Sequence, residues 1–381
     1  MRRLTFVLLA LVFTAACRKS DGPAPASAGH TVAAVETPVL ANDCPPDNAT
    51  NDEIAAQAAA LIPLKTGLTL STTWHRATEG DDVECLTQIH DIGGAAVAAT
   101  ANCSMSNGTE GGSRRTCRAD MRTAHMYYTG AGDDPDVLRG TTMFMLSRDA
   151  YGELTSKGST RHRFVSLLDG KIIGDLDGTL ERQSTGTLAT VVNDRVIDLP
   201  VIRAAGKMRG TAMGKPVETR VTAAVVDDGR FPLVLDYALP DVGAAGFSVR
   251  YSKVSFPTEG QIEKELAGDQ RIDVYGIYFD VNSDRLRSES DPVLLEIAGA
   301  LDRNPQWQLT IDGHTDSVGS AEANLDLSQR RSEAVRAALV QRYHVTAERL
   351  TTRGLGATVP KDTNDTPEGR ARNRRVELIR R

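Results

Sequence analysis

The pattern of apolar and polar positions changes character several times along the 381 residues. The opening stretch, "MRRLTFVLLALVFTAAC", is two arginines followed by an apolar run from Leu4 to Ala16 and then Cys17. That run is too short for a membrane-spanning helix, which needs roughly 20 residues, and reads as a secretory signal. Residues 18–43, "RKSDGPAPASAGHTVAAVETPVLAND", show no period and are rich in Ala, Pro, Ser and Gly, the composition of a flexible tether. Residues 44–258 are dominated by a period of two. "LATVVNDRVIDLPVI" and "TRVTAAVVDDGRFPLVLDYAL" are β-branched runs around turn residues and predict hairpins. "FSVRYSKVSF" alternates like a half-buried strand, and "NDEIAAQAAALIP" predicts a short helix. This region is expected to be mostly antiparallel β, as a sandwich or open barrel.

From residue 259 strands alternate with helical periods. "IEKELAG" predicts a short helix and "RIDVYGIYFDVNS" a strand in which Ile277, Tyr278 and Phe279 are core. "SDPVLLEIAGAL" starts a helix with Asp291 as N-cap and Pro292 in the first turn; its Leu294, Ile297, Ala298 and Leu301 form an apolar stripe. "WQLTIDGHTD" is a second strand, Asn324 to Arg342 a long helix, "RLTTRG" a third strand and "RRVELIRR" a fourth. The fold class is thus α+β with two domains: a β-rich one over 44–258 and an α/β one with a mixed sheet over 259–381.

Composition narrows the chemistry. The net charge of −6 speaks against a general nucleic-acid binder, and an aromatic content of 5% leaves little for the girdles of an outer-membrane barrel. There are five cysteines, Cys17, Cys44, Cys85, Cys103 and Cys117. Thr14-Ala15-Ala16 before Cys17 resembles the lipobox of bacterial lipoproteins, in which the Cys is lipidated and begins the mature chain. Lipidation of Cys17 leaves an even set for two disulfides in an oxidising compartment. Three pairings are open; "ANCSMSNGTEGGSRRTC" reads as two strand ends around a loop, favouring Cys103–Cys117 with Cys44–Cys85. No Cys/His spacing suggests a metal, no cofactor motif occurs, and no catalytic motif appears in 44–258. His314, Asp316 and Ser317 are too close in sequence for triad geometry. The C-terminal Arg370, Arg372, Arg375, Arg380 and Arg381 read as a solvated edge.

One stretch, "GHTDSVGSAEANLDLSQRR" from Gly313 to Arg331, carries binding chemistry. Leu327, Ala334, Val335, Ala338 and Leu339 mark the buried stripe of the long helix, and Arg331 falls inside it while Arg330 and Arg336 do not. A buried guanidinium needs a partner. Asn324 lies two turns earlier on the same face. Gly313 permits close backbone approach. Asp316 and Arg331 are either an ion pair tying loop to helix or two poles of a site for a zwitterion. In the second case the carboxylate takes an ammonium and the guanidinium takes a carboxylate.

The stretches "IYFDVNSDRL", "IDGHTDSVGSAEANLDLSQRRSEAVRAAL", "LTTRGLG" and "GRARNRRVEL" resemble, in order and spacing, the OmpA-like peptidoglycan-binding domain of outer-membrane proteins, lipoproteins (Pal-like) and flagellar stator proteins (MotB-like). The resemblance covers about the last 120 residues. It implies an α/β sandwich that binds the diaminopimelate of the peptidoglycan stem peptide without covalent chemistry. Asp316 would meet the ligand's amino end and Arg331 its carboxylate, with Asn282, Thr315, Asn324, Leu327 and Arg374 beside them. Val318 stands where some members carry Thr. The implied whole is a lipid-anchored protein on the periplasmic face of a Gram-negative outer membrane, gripping the cell wall. The rival readings are an envelope assembly or sensory protein whose β region binds another protein, and a peptidoglycan hydrolase.

Overall fold

The computed structural model describes residues 39–41, 43–46, 51–76, 81–105, 108–131, 137–168, 171–193, 195–242, 246–258 and 260–381. The expected signal segment, Cys17 and most of the expected tether lie outside them. Among the described residues the chain is a mixed α/β molecule with one sheet of fourteen strands and a second of four. No helix among them is long and apolar enough to cross a membrane.

The large sheet is built mainly from antiparallel hairpins. Its longest strands, Lys171–Val192 and Arg195–Ala212, pair around Asn193, which takes the left-handed conformation (φ 50°) that Asn tolerates in a tight turn. Strands Lys215–Val226 and Val234–Leu239 also form the expected antiparallel pair. Their connection is a longer loop, held where Asp228 pairs with Arg230 and accepts the Leu61 amide. Strand Phe247–Ser255 follows, and its Lys253 and Val254 pair in parallel with Val191 and Val192. That last pairing closes these five strands into a ring within the larger sheet.

Apolar runs here are continuous because both faces of the central strands are covered. Val201, Ala224 and Leu235 join a core with Ile62, Leu70 and Phe231, while their neighbours Ile202, Val225 and Val234 join another with Leu154, Phe164 and Tyr237. Two sequence expectations are corrected in this region. Val39–Ala41, assigned to the tether, is a strand on Val137–Arg139. The disulfides are Cys44–Cys117 and Cys85–Cys103, not Cys103–Cys117 and Cys44–Cys85. The physical reason is register: in the hairpin of Ala96–Met105 and Gly108–Cys117, Cys103 stands opposite Glu110 near the turn and Cys117 opposite Ala96 at the far end. Cys103 faces Cys85 on the next strand instead.

The small sheet runs Arg271–Val274, Val376–Arg380, Leu309–His314, Leu350–Gly356. It is mixed, since Leu309–His314 is parallel to Leu350–Gly356 and antiparallel to Val376–Arg380. Helices Gln261–Gly268, Asp291–Arg303 and Ala321–Tyr343 supply Leu266, Leu294, Ile297, Leu301, Val335 and Leu339 to a separate core with Ile311 and Leu378. Ser290, not Asp291, occupies the N-cap position of Asp291–Arg303; the Asp291 carboxylate pairs with Arg342 at 2.8 Å. The predicted strand through Phe279 stops at Val274, and Ile277, Tyr278 and Phe279 are buried outside regular strand structure. Arg375, expected on a solvated edge, is 4% exposed and held by Asp273 at 2.8 Å.

The long helix is seated by glycines. A Cβ on Gly313 would lie 2.2 Å from the Ser328 carbonyl oxygen, and one on Gly354, its register partner, 2.4 Å from the Gln329 nitrogen. The helix therefore meets the sheet backbone-to-backbone, and its own contact residues, Ser328 and Ser332, are small and buried. Gly354→Ala is expected to destabilise this unit by about 1–3 kcal/mol through overpacking. Gly268→Ala, where a Cβ meets nothing within 4 Å, is expected to be neutral or slightly stabilising. Urea unfolding of the two variants beside the parent checks both.

Candidate functional site

A cavity of about 140 Å³ opens where the small sheet, the start of the long helix and the loop after Phe279 meet. All eight residues expected from the sequence to contact a ligand line it: Asn282, Gly313, Thr315, Asp316, Asn324, Leu327, Arg331 and Arg374. The local structure explains how they converge. Gly313 lets the strand pass close to the helix, and the strand ends one residue later at His314, so the chain turns there and brings Thr315 and Asp316 beside the helix N-terminus. The Thr315 amide donates to the Gly356 carbonyl at 3.0 Å, pinning the turn to the neighbouring strand. Ser320 caps the helix by accepting from the Ala323 amide. The Asn324 side-chain amide then donates back to the carbonyls of Asp316 (3.2 Å) and Val318 (3.0 Å), so it organises the loop.

The question whether Asp316 and Arg331 pair is answered by their other partners. Asp316, 7% exposed, accepts from the Val318 amide at 3.0 Å and forms an ion pair with Arg374 at 2.7 Å. Arg331 donates its Nε to the Ser283 carbonyl at 2.9 Å and Nη2 to the Asp280 carbonyl at 3.4 Å, with its guanidinium over the Phe279 ring, 4.9 Å from the centroid. The two charges thus belong to different elements across the cavity. The helix phase inferred from Leu327 is also corrected. The buried face here is Asn324, Ser328 and Ser332, while Leu327 and Arg331 are half-buried on the adjoining flank. The reason is the close crossing, which buries small residues and displaces large ones to the side.

The loop that receives Arg331 is a tight hairpin. Phe279 bridges Leu286, the Ser283 amide donates to the Asp280 carbonyl, and Asn282 sits at φ 54°. Arg285 pairs with the Asp280 carboxylate. Asn282 is exposed at the tip, and Val318, at the opposite rim, is 54% exposed.

Residues that the sequence did not name as ligand-binding also line the cavity, among them Lys253, Asp280 and His314. His314 is 2% exposed and its Nε2 lies 3.5 Å from Glu377 Oε2, an electrostatic contact at the outer limit of hydrogen bonding. It faces Glu377 rather than Ser317, so no triad forms. The Thr315 hydroxyl is buried without a hydrogen-bond partner, an acceptor and donor available at the cavity wall. Among the described residues no group of His, Cys, Asp and Glu side chains is placed to hold a metal.

Residues 278–374 match the OmpA family. Among curated relatives, Outer membrane protein Omp38 of Acinetobacter baumannii is 37% identical over 113 residues, 30% of this chain and 32% of that protein. Probable lipoprotein YiaD of Escherichia coli is 38% identical over 102 residues, 27% of this chain and 46% of that one. Peptidoglycan-binding protein ArfA of Mycobacterium bovis is 42% identical over 87 residues, 23% and 26% of the two chains. The likeness therefore spans less than half of each relative. The C-terminal part of this chain is an OmpA family domain.

Behind the cavity, hydrogen bonding from His314, together with the charges of Arg271, His314 and Lys361, holds the Glu377 carboxyl below its ordinary value of 4.5, more than offsetting its burial. A depressed folded value means that this stabilisation is present above about pH 4.5 and is lost as pH falls through the folded value. Glu377→Gln is expected to be less stable than the parent at pH 7, with the gap closing as the pH is lowered below 4.5. Urea midpoints of both proteins between neutral and acidic pH measure it.

Proposed function

We propose that the cavity binds the zwitterionic end of diaminopimelate in the peptidoglycan stem peptide, and that the protein thereby fastens the outer membrane to the cell wall without catalysis. The observation that carries the reading is the separation of Asp316 from Arg331 across one cavity, each held by its own partners. Asp316 would accept the ligand ammonium while keeping Arg374, and Arg331 would donate to the ligand carboxylate from its seat on Phe279. Asn324 and Gly313 would shape the site, and Asn282, Thr315 and Leu327 would complete its walls. Charge-assisted hydrogen bonds of this kind contribute about 1.5–3 kcal/mol each. Many copies held between two surfaces add avidity. The family match and the peptidoglycan-binding, lipoprotein and outer-membrane relatives support this reading.

In the same proposal residues 1–17 are a lipoprotein signal ending in lipidated Cys17, the following segment is a tether, the region from 44 to 258 is a periplasmic β domain, and 259–381 is the wall-binding domain. The protein then sits on the periplasmic face of a Gram-negative outer membrane.

Purified protein retained on isolated sacculi tests the site. Asp316→Ala and Arg331→Ala should each lose most of the retention, with circular dichroism unchanged. Retention equal to the parent in both folded variants would refute the site.

A further inference from the structure

The seat of Arg331 is a hairpin, and both feet of that hairpin stand on the large sheet. The hairpin lies within the family match, which begins at residue 278, and its supports lie outside it. At the first foot, Tyr278 is 2% exposed and its hydroxyl lies 2.7 Å from Ser255 Oγ on strand Phe247–Ser255. The Lys253 ammonium of the same strand lies 5.1 Å from the centroid of the Tyr278 ring. Residues 253 and 255 share one face of the strand, so the large sheet holds this tyrosine by its ring and by its hydroxyl.

The second foot is a polar seam. Arg287 and Glu289 form an ion pair with both side chains 3% exposed. Asn102 of the large sheet donates to the Glu289 carboxylate at 2.9 Å and accepts from Arg287 at its backbone carbonyl at 2.9 Å. The Gln88 side chain donates to the Glu289 carbonyl at 3.1 Å. The two feet are tied together where the Arg287 amide donates to the Tyr278 carbonyl at 3.0 Å. Between them stand the Asp280 and Ser283 carbonyls and the Phe279 ring, which receive the Arg331 guanidinium.

The backbone of Arg331 is thus placed by the small sheet, through the long helix, while its guanidinium is aimed by a hairpin that rests on the large one. A guanidinium on a flexible stem takes its direction from the groups that hold it, and a site is only as well ordered as the residues behind it. We propose that Ser255 and Asn102 of the large sheet are positioning residues of the binding site. By fixing the hairpin they fix the direction in which Arg331 meets the ligand, so the affinity of the C-terminal site depends on the docking of the large sheet. This inference rests on the reading of the cavity given above.

Titration of the purified full chain with isolated sacculi gives the apparent affinity. Ser255→Ala and Asn102→Ala should each weaken it about two- to tenfold, the range of one net hydrogen bond. Tyr278→Phe should match Ser255→Ala, and the double variant should lose no more than either, because the two hydroxyls make one contact. Ile202→Val, in the core with Leu154 and Phe164, should lower the urea midpoint and leave the affinity at the parent's value, which separates positioning from stability. The Nε–H resonance of Arg331, assigned by its loss in Arg331→Lys, should shift in Ser255→Ala and Asn102→Ala and stay in place in Ile202→Val. Should Ser255→Ala fail to fold by circular dichroism, Tyr278→Phe carries the same comparison. Folded seam variants that bind sacculi as tightly as the parent overturn the proposal, as does an equal loss in Ile202→Val or an unmoved Arg331 resonance. Asp316→Ala and Arg331→Ala separate the two ideas. If both keep the parent's retention, the reading of the cavity itself is wrong. If both lose it while the seam variants bind like the parent, only the positioning role is wrong.

Discussion

The approach of the long helix to the small sheet at Gly313 and Gly354 is the constraint on which the site depends. With Cβ atoms absent at both positions, the Ser328 carbonyl and the Gln329 amide lie almost on the strands. The Gly354 amide donates to Gln329 Oε1 at 2.6 Å and the Gly356 amide to Ser328 Oγ at 2.8 Å, so the crossing is hydrogen-bonded as well as close. Its position along the helix fixes where Asn324 and Arg331 emerge. Its position along the strand fixes where the chain turns into Thr315 and Asp316. A shift of one residue in either element would move an anion and a cation relative to each other by several ångströms, enough to lose a bridging ligand.

The cavity's charges are held before any ligand arrives. Asp316 keeps its carboxylate oriented through Val318 and Arg374, and Arg331 is aimed by two backbone carbonyls and an aromatic face. Pre-orientation lowers the ordering cost that a flexible Arg or Asp would pay on binding. It also explains why a buried acid and a nearby base do not collapse onto each other: each has partners at shorter range. The hairpin around Asn282 offers two of its carbonyls to Arg331. Asp280 contributes through its backbone to Arg331 and through its side chain to Arg285.

Much of this was legible in the sequence, and the misses have physical causes. The alternation of strands and helices beyond residue 259 located each of the four strands of the small sheet, with the first drawn past its end at Val274. The residues that line the cavity were legible only jointly, as four motifs in order; singly, an Asp after Gly-His-Thr or an Asn in a helix says little. The helix phase went astray because the most buried turn uses Ser328 and Ser332, which a hydropathy pattern scores as polar. The strand at Phe279 went astray because an apolar run is equally good for the wall of a cavity. The cysteine pairing depended on hairpin register, to which loop composition is blind: one residue of slip reverses which side chains face one another. Arg375 looks solvated in a run of arginines, yet Asp273, about a hundred residues away in sequence, neutralises it in the interior.

The place of Lys253 at the cavity was invisible for a related reason: no local pattern marks a residue of one sheet that comes to line a cavity beside another. The seam that brings it to the cavity is polar at its centre, and this is informative. A buried ion pair is a poor source of net stability, since desolvating Arg287 and Glu289 costs roughly what their attraction returns. Burial alone raises the Glu289 carboxyl, and Arg287 with Asn102 more than reverses that. Arg287 Nη1 is left without a hydrogen-bond partner, a further cost. What such a pair provides is geometry. Apolar surfaces can slide over one another with little penalty, whereas a slide here would strand two charges and the Asn102 amide away from water. The seam therefore admits one arrangement of the two sheets. One arrangement is what a cavity needs if its walls come from both of them.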